Sequence, residues 1–308
     1  MILSQRPLRL GTRGSPLALA QARMTARALC ATHGWPDSAV EVVTVLTSGD
    51  RIQDRALADI GGKALWTKEL DRALVDGTID FAVHSMKDVE TLRPDIFRIA
   101  AMLPRADVRD KLVGADSFDA LPANPVVGTS SPRRAAQVMR LRPDATITLF
   151  RGNVATRLAK LASGEVHATL LAAAGLDRLG QGDVGVLVPV DRMLPAPSQG
   201  AVGIETLADN APVLEALAAI GHADTFDAVM AERNVLMALG GTCHSPIAAL
   251  ALIEGDQIYL RAEIISPDGQ ETVREEARIA RHDTHAAQAL GHALLDRASP
   301  ALRSLFEG

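Results

Sequence analysis

Apolar and polar positions follow one another in blocks whose period changes along the chain. Leu8 to Gly11 is short and mostly apolar, and LALAQARMTARALCATHG after it repeats at helical spacing, so a strand, a turn and a helix are predicted. Ser15 is placed to cap that helix, Pro16 suits its first turn and Gly34 ends it. The β-branched run from Val40 to Asp50 predicts a second strand, Thr67 to Gly77 a second helix and DFAVHSM a third strand. Strand, helix and strand in this rhythm predict β-α-β units on a parallel sheet.

The same order is then repeated. GTRGSPLALAQA from Gly11 is echoed by GTSSPRRAAQV from Gly128, with the same spacing from Pro to Gln. ALVDGTIDFAVHSM and KLASGEVHATLLAA each run from helix through a glycine, Gly77 or Gly164, into a strand. A duplication predicts two similar α/β domains, which would hold a ligand in a cleft where strand ends and helix N-termini converge. Beyond about residue 220 a helix (Asp224 to Leu239), the strand IAALALI, two alternating strands around Ser-Pro-Asp-Gly and a last helix (Thr284 to Arg297) predict a small α+β domain. The expected division is 1–103 with 200–218, 104–199, and 219–308.

Composition narrows the function. At 308 residues and 47% hydrophobic, the chain can bury several cores. No apolar run approaches the roughly 18 to 20 residues of a membrane helix, and arginines interrupt MILSQRPLRLGTRG, so a cytoplasmic protein is expected. A net charge of -5, 3% aromatics and no basic block argue against a nucleic-acid partner. Two cysteines, Cys30 and Cys243, are too few for a disulfide framework or a cysteine-based zinc site. Cys30 is expected to pack a helix.

Candidate chemistry gathers at strand ends and helix starts. Arg13, Arg133, Arg134, Arg151, Arg157 and Arg178 recur at such points, a pattern that suits a receptor for several carboxylates, although each alone would read as a solvated helix face. Lys87 and Asp88 directly follow DFAVHSM and so fall at the mouth of the expected cleft. Asp88 could hold a substrate N–H and work as acid and base by turns, a strand-end salt bridge being the plain alternative. Lys87 could also form a Schiff base. Cys243 lies in the glycine-rich turn GGTCHSPIAA, where a thiol can reach outward or be buried; neighbouring His244 is poorly placed to activate it. The stretch from Ser48 to Trp66, with Gly49, Gly61 and Gly62, has the composition of a loop that could cover the cleft.

RGSPLALAQA, GGKALWTKEL, DFAVHSMKDV, VGTSSPRRAAQ, LFRGNVATRL, AAAGLDRLG, PSQGAVGIE and ERNVLMALGGTCHSPIA together resemble the porphobilinogen deaminase family, in the family's order and over nearly the whole chain. The resemblance implies two domains like type II periplasmic binding proteins, with a third carrying the cysteine loop. It implies a monomeric cytoplasmic transferase without a metal, which adds porphobilinogen units one at a time to a dipyrromethane held by Cys243 through a thioether. Four units are released as hydroxymethylbilane, with ammonia lost at each addition. Asp88 matches the catalytic aspartate, with Lys87 beside it. Lys87, Asp88, Thr129, Ser131, Arg133, Arg134 and Gly152 match cofactor-binding positions, and Arg13, Ser15, Arg151, Arg157 and Arg178 match positions for substrate acetates and propionates. Thr242, Ser245, Ser198, Pro132, Asp59 and Trp66 depart from the family pattern. A noncatalytic polycarboxylate receptor is the rival reading, though a secretory signal or a DNA-binding domain would be expected with it. A Schiff-base enzyme built on Lys87 would leave Cys243 and the arginines without a purpose.

Overall fold

The computed structural model describes residues 6–46, 67–240 and 245–306. They form two compact units, residues 6–46, 67–106 and 200–226 in the first and 107–199, 227–240 and 245–306 in the second.

In the first unit β1 (Leu8–Arg13) turns into α1 (Pro16–His33). The Ser15 hydroxyl accepts the Ala18 N–H at 3.3 Å, Pro16 opens the helix, and Gly34 closes it at φ 65°. Cys30 is buried on this helix. Then come β2 (Val40–Val45), α2 (Lys68–Val75), β3 (Phe81–Ser85) and β4 (Phe97–Met102), while β10 (Val202–Leu207) returns from far along the chain. The sheet order is β2-β1-β3-β10-β4. β1 is parallel to β2 and β3, whereas β10 is antiparallel to both β3 and β4. The expected parallel sheet is therefore a mixed one, because β10 enters after a long excursion and escapes the helical crossover that makes neighbouring strands parallel. β3 is buried on both faces, which explains its near-continuous apolar run and makes its one imidazole, His84, conspicuous.

The second unit repeats this plan. It contains β5 (Asp110–Val113), β6 (Val126–Gly128), α3 (Pro132–Leu141), β7 (Thr146–Thr148), α4 (Val154–Ala162), β8 (Ala168–Ala172), α5 (Ala173–Arg178) and β9 (Val186–Leu187). Its order is β7-β6-β8-β5-β9, with β6 parallel to β7 and β8, and β5 antiparallel to β8 and β9. Strand for strand this is the first sheet again, so the duplication seen in the sequence is also one of topology. Ser131 caps α3 as Ser15 caps α1, accepting the Arg134 N–H at 3.4 Å. Pro132, a departure from the family pattern, occupies the first helical position, where the missing N–H costs nothing.

After α6 (Ala211–Ala218) and α7 (Ala223–Ala238), an antiparallel sheet of β11 (Ile247–Glu254), β12 (Gln257–Ile265) and β13 (Thr272–Ala280) is followed by α8 (Thr284–Arg297) and α9 (Pro300–Arg303). Val235, Leu239, Leu260, Ile264, Leu290 and Leu294 interlock in its core. Each such aliphatic side chain contributes about 1.5–3 kcal/mol by leaving water. Gly269 ends the Ser-Pro-Asp-Gly turn at φ 73°, and a Cβ there would lie 2.4 Å from the Arg140 nitrogen, so only glycine lets the turn rest on α3.

Ser198 is buried at φ 66°, with its N–H donating to Glu232 at 2.6 Å. The left-handed backbone explains why glycine suits this position, and serine there stores about 1–2 kcal/mol of strain. Gly loses about 0.4–1 kcal/mol more chain entropy on folding. Ser198→Gly is therefore expected to stabilise the protein by about 0.5–1 kcal/mol, read as a rise in the denaturation midpoint without a change in slope.

Candidate functional site

At the C-terminal end of β3 the chain tightens into a 3-10 turn, Met86–Asp88. A cavity of about 60 Å³ opens there, lined by Arg13, Ser15, Gln21, Thr67, His84 and Asp88 among others. There is room for one or two waters beside a carboxylate, a guanidinium and a capped helix start, groups whose chemistry suits an anion and a proton. Lys87 is half-buried in the same turn. The first unit thus gathers Arg13, Ser15 and Asp88 around one cavity, with Lys87 next to Asp88 in the chain.

Behind this cavity lies a buried charge network. His84 Nε2 is 3.0 Å from Glu205 Oε2, and Arg93 donates to Glu205 through Nε at 2.9 Å and a terminal nitrogen at 3.0 Å. These partners outweigh the cost of burial and hold the Glu205 carboxyl down at about 2. Since that carboxylate can only accept, the proton on the facing imidazole nitrogen is fixed at Nε2.

The second unit gathers the other expected residues. Arg133 and Arg134 are almost wholly buried, and both donate to Asp110, at 2.8 and 2.7 Å. Asp110, at the start of β5, is 1% exposed and also accepts from Gln199 at 2.9 Å. Burial alone would raise its pKa, but the two guanidiniums hold it far below the usual carboxylate range. The Arg133 guanidinium also reaches Gln137 and the Leu194 carbonyl, and Arg134 the Leu170 carbonyl. These arginines are thus structural anchors of the α3 N-terminus as well as expected contacts for the cofactor.

Arg157 has a different environment. Its Nε donates to the Gly152 carbonyl at 2.9 Å, and burial together with the charges of Arg134 and Arg151 brings its pKa down to about 10. A buried guanidinium with two more cations nearby is suited to an anion. Gly152 stands at φ 122°, where a Cβ would collide with the Thr156 side chain at 2.7 Å. Its glycine is therefore explained by the backbone. Thr129 is buried, accepting the Ser131 N–H at 3.1 Å. Burial also lowers Arg178, which Asp177 partly offsets. Cys243, Thr242, His244, Asp59, Trp66 and the stretch from Ser48 to Trp66 lie outside the described residues.

The model for the porphobilinogen deaminase dipyromethane cofactor binding domain matches residues 8–215, and that for the porphobilinogen deaminase C-terminal domain matches residues 226–298. The chain belongs to the porphobilinogen deaminase family. It is 57% identical over 306 residues to a porphobilinogen deaminase of Sphingopyxis alaskensis, covering 97% of this chain and 96% of that one. With a porphobilinogen deaminase of Nitrobacter winogradskyi it shares 47% over 303 residues, covering 97% and 96%. Among solved structures, a TRAP periplasmic solute binding protein from Desulfovibrio salexigens overlays with a TM-score of 0.41 at 13% identity, over 71% of this chain and 73% of that one.

Several residues that support these candidate positions were not singled out from sequence. Asp110 opens the strand DKLV, and the signal for it was indirect: two adjacent arginines on a helix face can be buried only against a carboxylate. Glu205 and His84 were more legible, each a titratable residue inside a strand otherwise apolar enough for burial, VGIETL and FAVHS. Arg93 and Glu90 carried no such mark, since they lie between elements.

Proposed function

We propose that this chain deaminates porphobilinogen and joins four units head to tail on a dipyrromethane primer attached to Cys243, releasing hydroxymethylbilane and ammonia. The observation that carries the reading is the arginine cluster around Arg157, within a chain matched nearly end to end by the two porphobilinogen deaminase domain models. Every porphobilinogen and each ring of the primer brings two carboxylates, and their negative charge offsets the burial and the neighbouring cations that lower Arg157. The group is assigned to Thr129, Ser131, Arg133, Arg134 and Gly152 of the second unit and to Lys87 and Asp88 of the first, positions that match the family's cofactor-binding pattern and whose cationic and hydroxyl groups suit its carboxylates and pyrrole N–H groups. When bound it supplies the nucleophilic pyrrole carbon to which units are added.

Asp88 is read as the proton carrier. Its carboxylate accepts the substrate pyrrole N–H and stabilises the positive charge that grows on that ring as the carbon–nitrogen bond breaks and ammonia leaves. After the new carbon–carbon bond has formed, the proton on the joining pyrrole carbon has to leave, and Asp88 is read as its acceptor. Arg13, Ser15, Arg151, Arg157 and Arg178 bind acetates and propionates, so substrate charge is balanced locally in a protein of net charge -5. Among the described residues no helix is long and apolar enough to cross a membrane. The enzyme is read as a cytoplasmic monomer of three domains, 1–103 with 200–218, 104–199 and 219–308, a division supported by the three sheets among the described residues.

Intact mass tests this directly. The purified protein is expected to exceed its sequence mass by one dipyrromethane and to give a pyrrole colour reaction, both of which Cys243→Ala should remove together with turnover. Active protein with the bare chain mass would overturn the reading.

A further inference from the structure

Asp88 lies between two branches of one buried network. Four residues before it, His84 is tied to Glu205 on β10 at 3.0 Å. Two residues after it, Glu90 accepts from the Thr67 hydroxyl at 2.8 and 3.0 Å and from Arg93 at 3.0 Å. Arg93 joins the branches, because the same guanidinium grips Glu205 and reaches Asp71 on α2 at 2.5 and 3.2 Å. One guanidinium thus serves three carboxylates from three parts of the chain, with all three of its nitrogens engaged. Its side chain is 9% exposed, and its underside rests on the Phe97 ring, 5.0 Å from the centroid.

We infer that Arg93 is a positioning residue for the reaction, holding both ends of the short segment that carries Asp88 so that its carboxylate stays fixed in the cavity. Thr67 and His84 belong to the network and also line that cavity, so a shift in the network reaches the wall facing Asp88. Only a planar fork can span the three carboxylates; a lysine keeps the charge but has a single nitrogen to share among them. This inference rests on the reading that Asp88 handles the proton.

Arg93→Lys and Glu90→Gln are the variants to make, in wild-type and Asp88→Glu backgrounds, with intact mass, kcat and KM measured below the melting temperature of each. The expected result is a retained cofactor mass, a KM within about threefold, and a kcat lower by about 10- to 100-fold, the usual effect of releasing a supporting contact behind a catalytic group. In the Asp88→Glu background the same changes should cost less than about threefold, because the geometry they protect is already lost. An unchanged kcat, a loss confined to KM, or an equal loss in both backgrounds would overturn the inference. Wild-type protein without product would instead count against the proposed function.

Discussion

Asp110→Ala is expected to lower stability by about 3–5 kcal/mol, the cost of breaking a buried ion pair from one side. Arg133 and Arg134 are 3% and 6% exposed, and Asp110 is the carboxylate that both of them grip. Removing it leaves two cations in a space from which water is excluded, and carbonyl and amide contacts neutralise neither. Asp110→Asn keeps the shape and one acceptor, so it should lie between the variant and the wild type. Chemical denaturation checks the order, and an Asp110→Ala midpoint within error of the wild type would remove Asp110 from this role.

The same carboxylates set the acid limit. Asp110 and Glu205 both have folded pKa values depressed by their partners, so each releases its proton more readily folded than unfolded. Their stabilisation is therefore complete above the unfolded values, 3.8 and 4.5, and is lost as pH falls through the folded ones, about 2 for Glu205. Stability should fall steeply from about pH 4.5 towards pH 2, and Asp110→Asn should flatten that slope.

Much of this molecule was legible because its elements follow local rules. The serine caps and the prolines after them marked the starts of α1 and α3, Gly34 marked the end of α1, and the echo between Gly11 and Gly128 announced a repeated sheet. The antiparallel return strands were not legible. β10 joins the first sheet from about a hundred residues beyond β4, and local pattern carries no information about which neighbour a strand will find. Site residues divide in the same way. Arg157 and Asp88 stood at strand ends and helix starts, where chemistry is expected, whereas Asp110 and Arg93 earn their importance from partners distant in sequence.

Asp88→Glu should retain the cofactor mass while kcat falls by on the order of a hundredfold. The substitution preserves charge, so the local field is unchanged and only reach differs. One extra methylene advances the carboxylate by about 1.5 Å, and a displacement of about 1 Å at a reacting centre is enough for a loss of that size. Asp88→Asn separates the two duties of the residue: it keeps the position and one acceptor oxygen but can neither balance a growing cation nor take a proton. It should therefore lose more than the glutamate variant. A purely structural Asp88 would give the opposite order, with the nearly isosteric asparagine the milder change. Steady-state rates of the two variants, taken alongside intact masses, decide between these outcomes, and an unchanged kcat in Asp88→Glu would exclude Asp88 as the proton carrier.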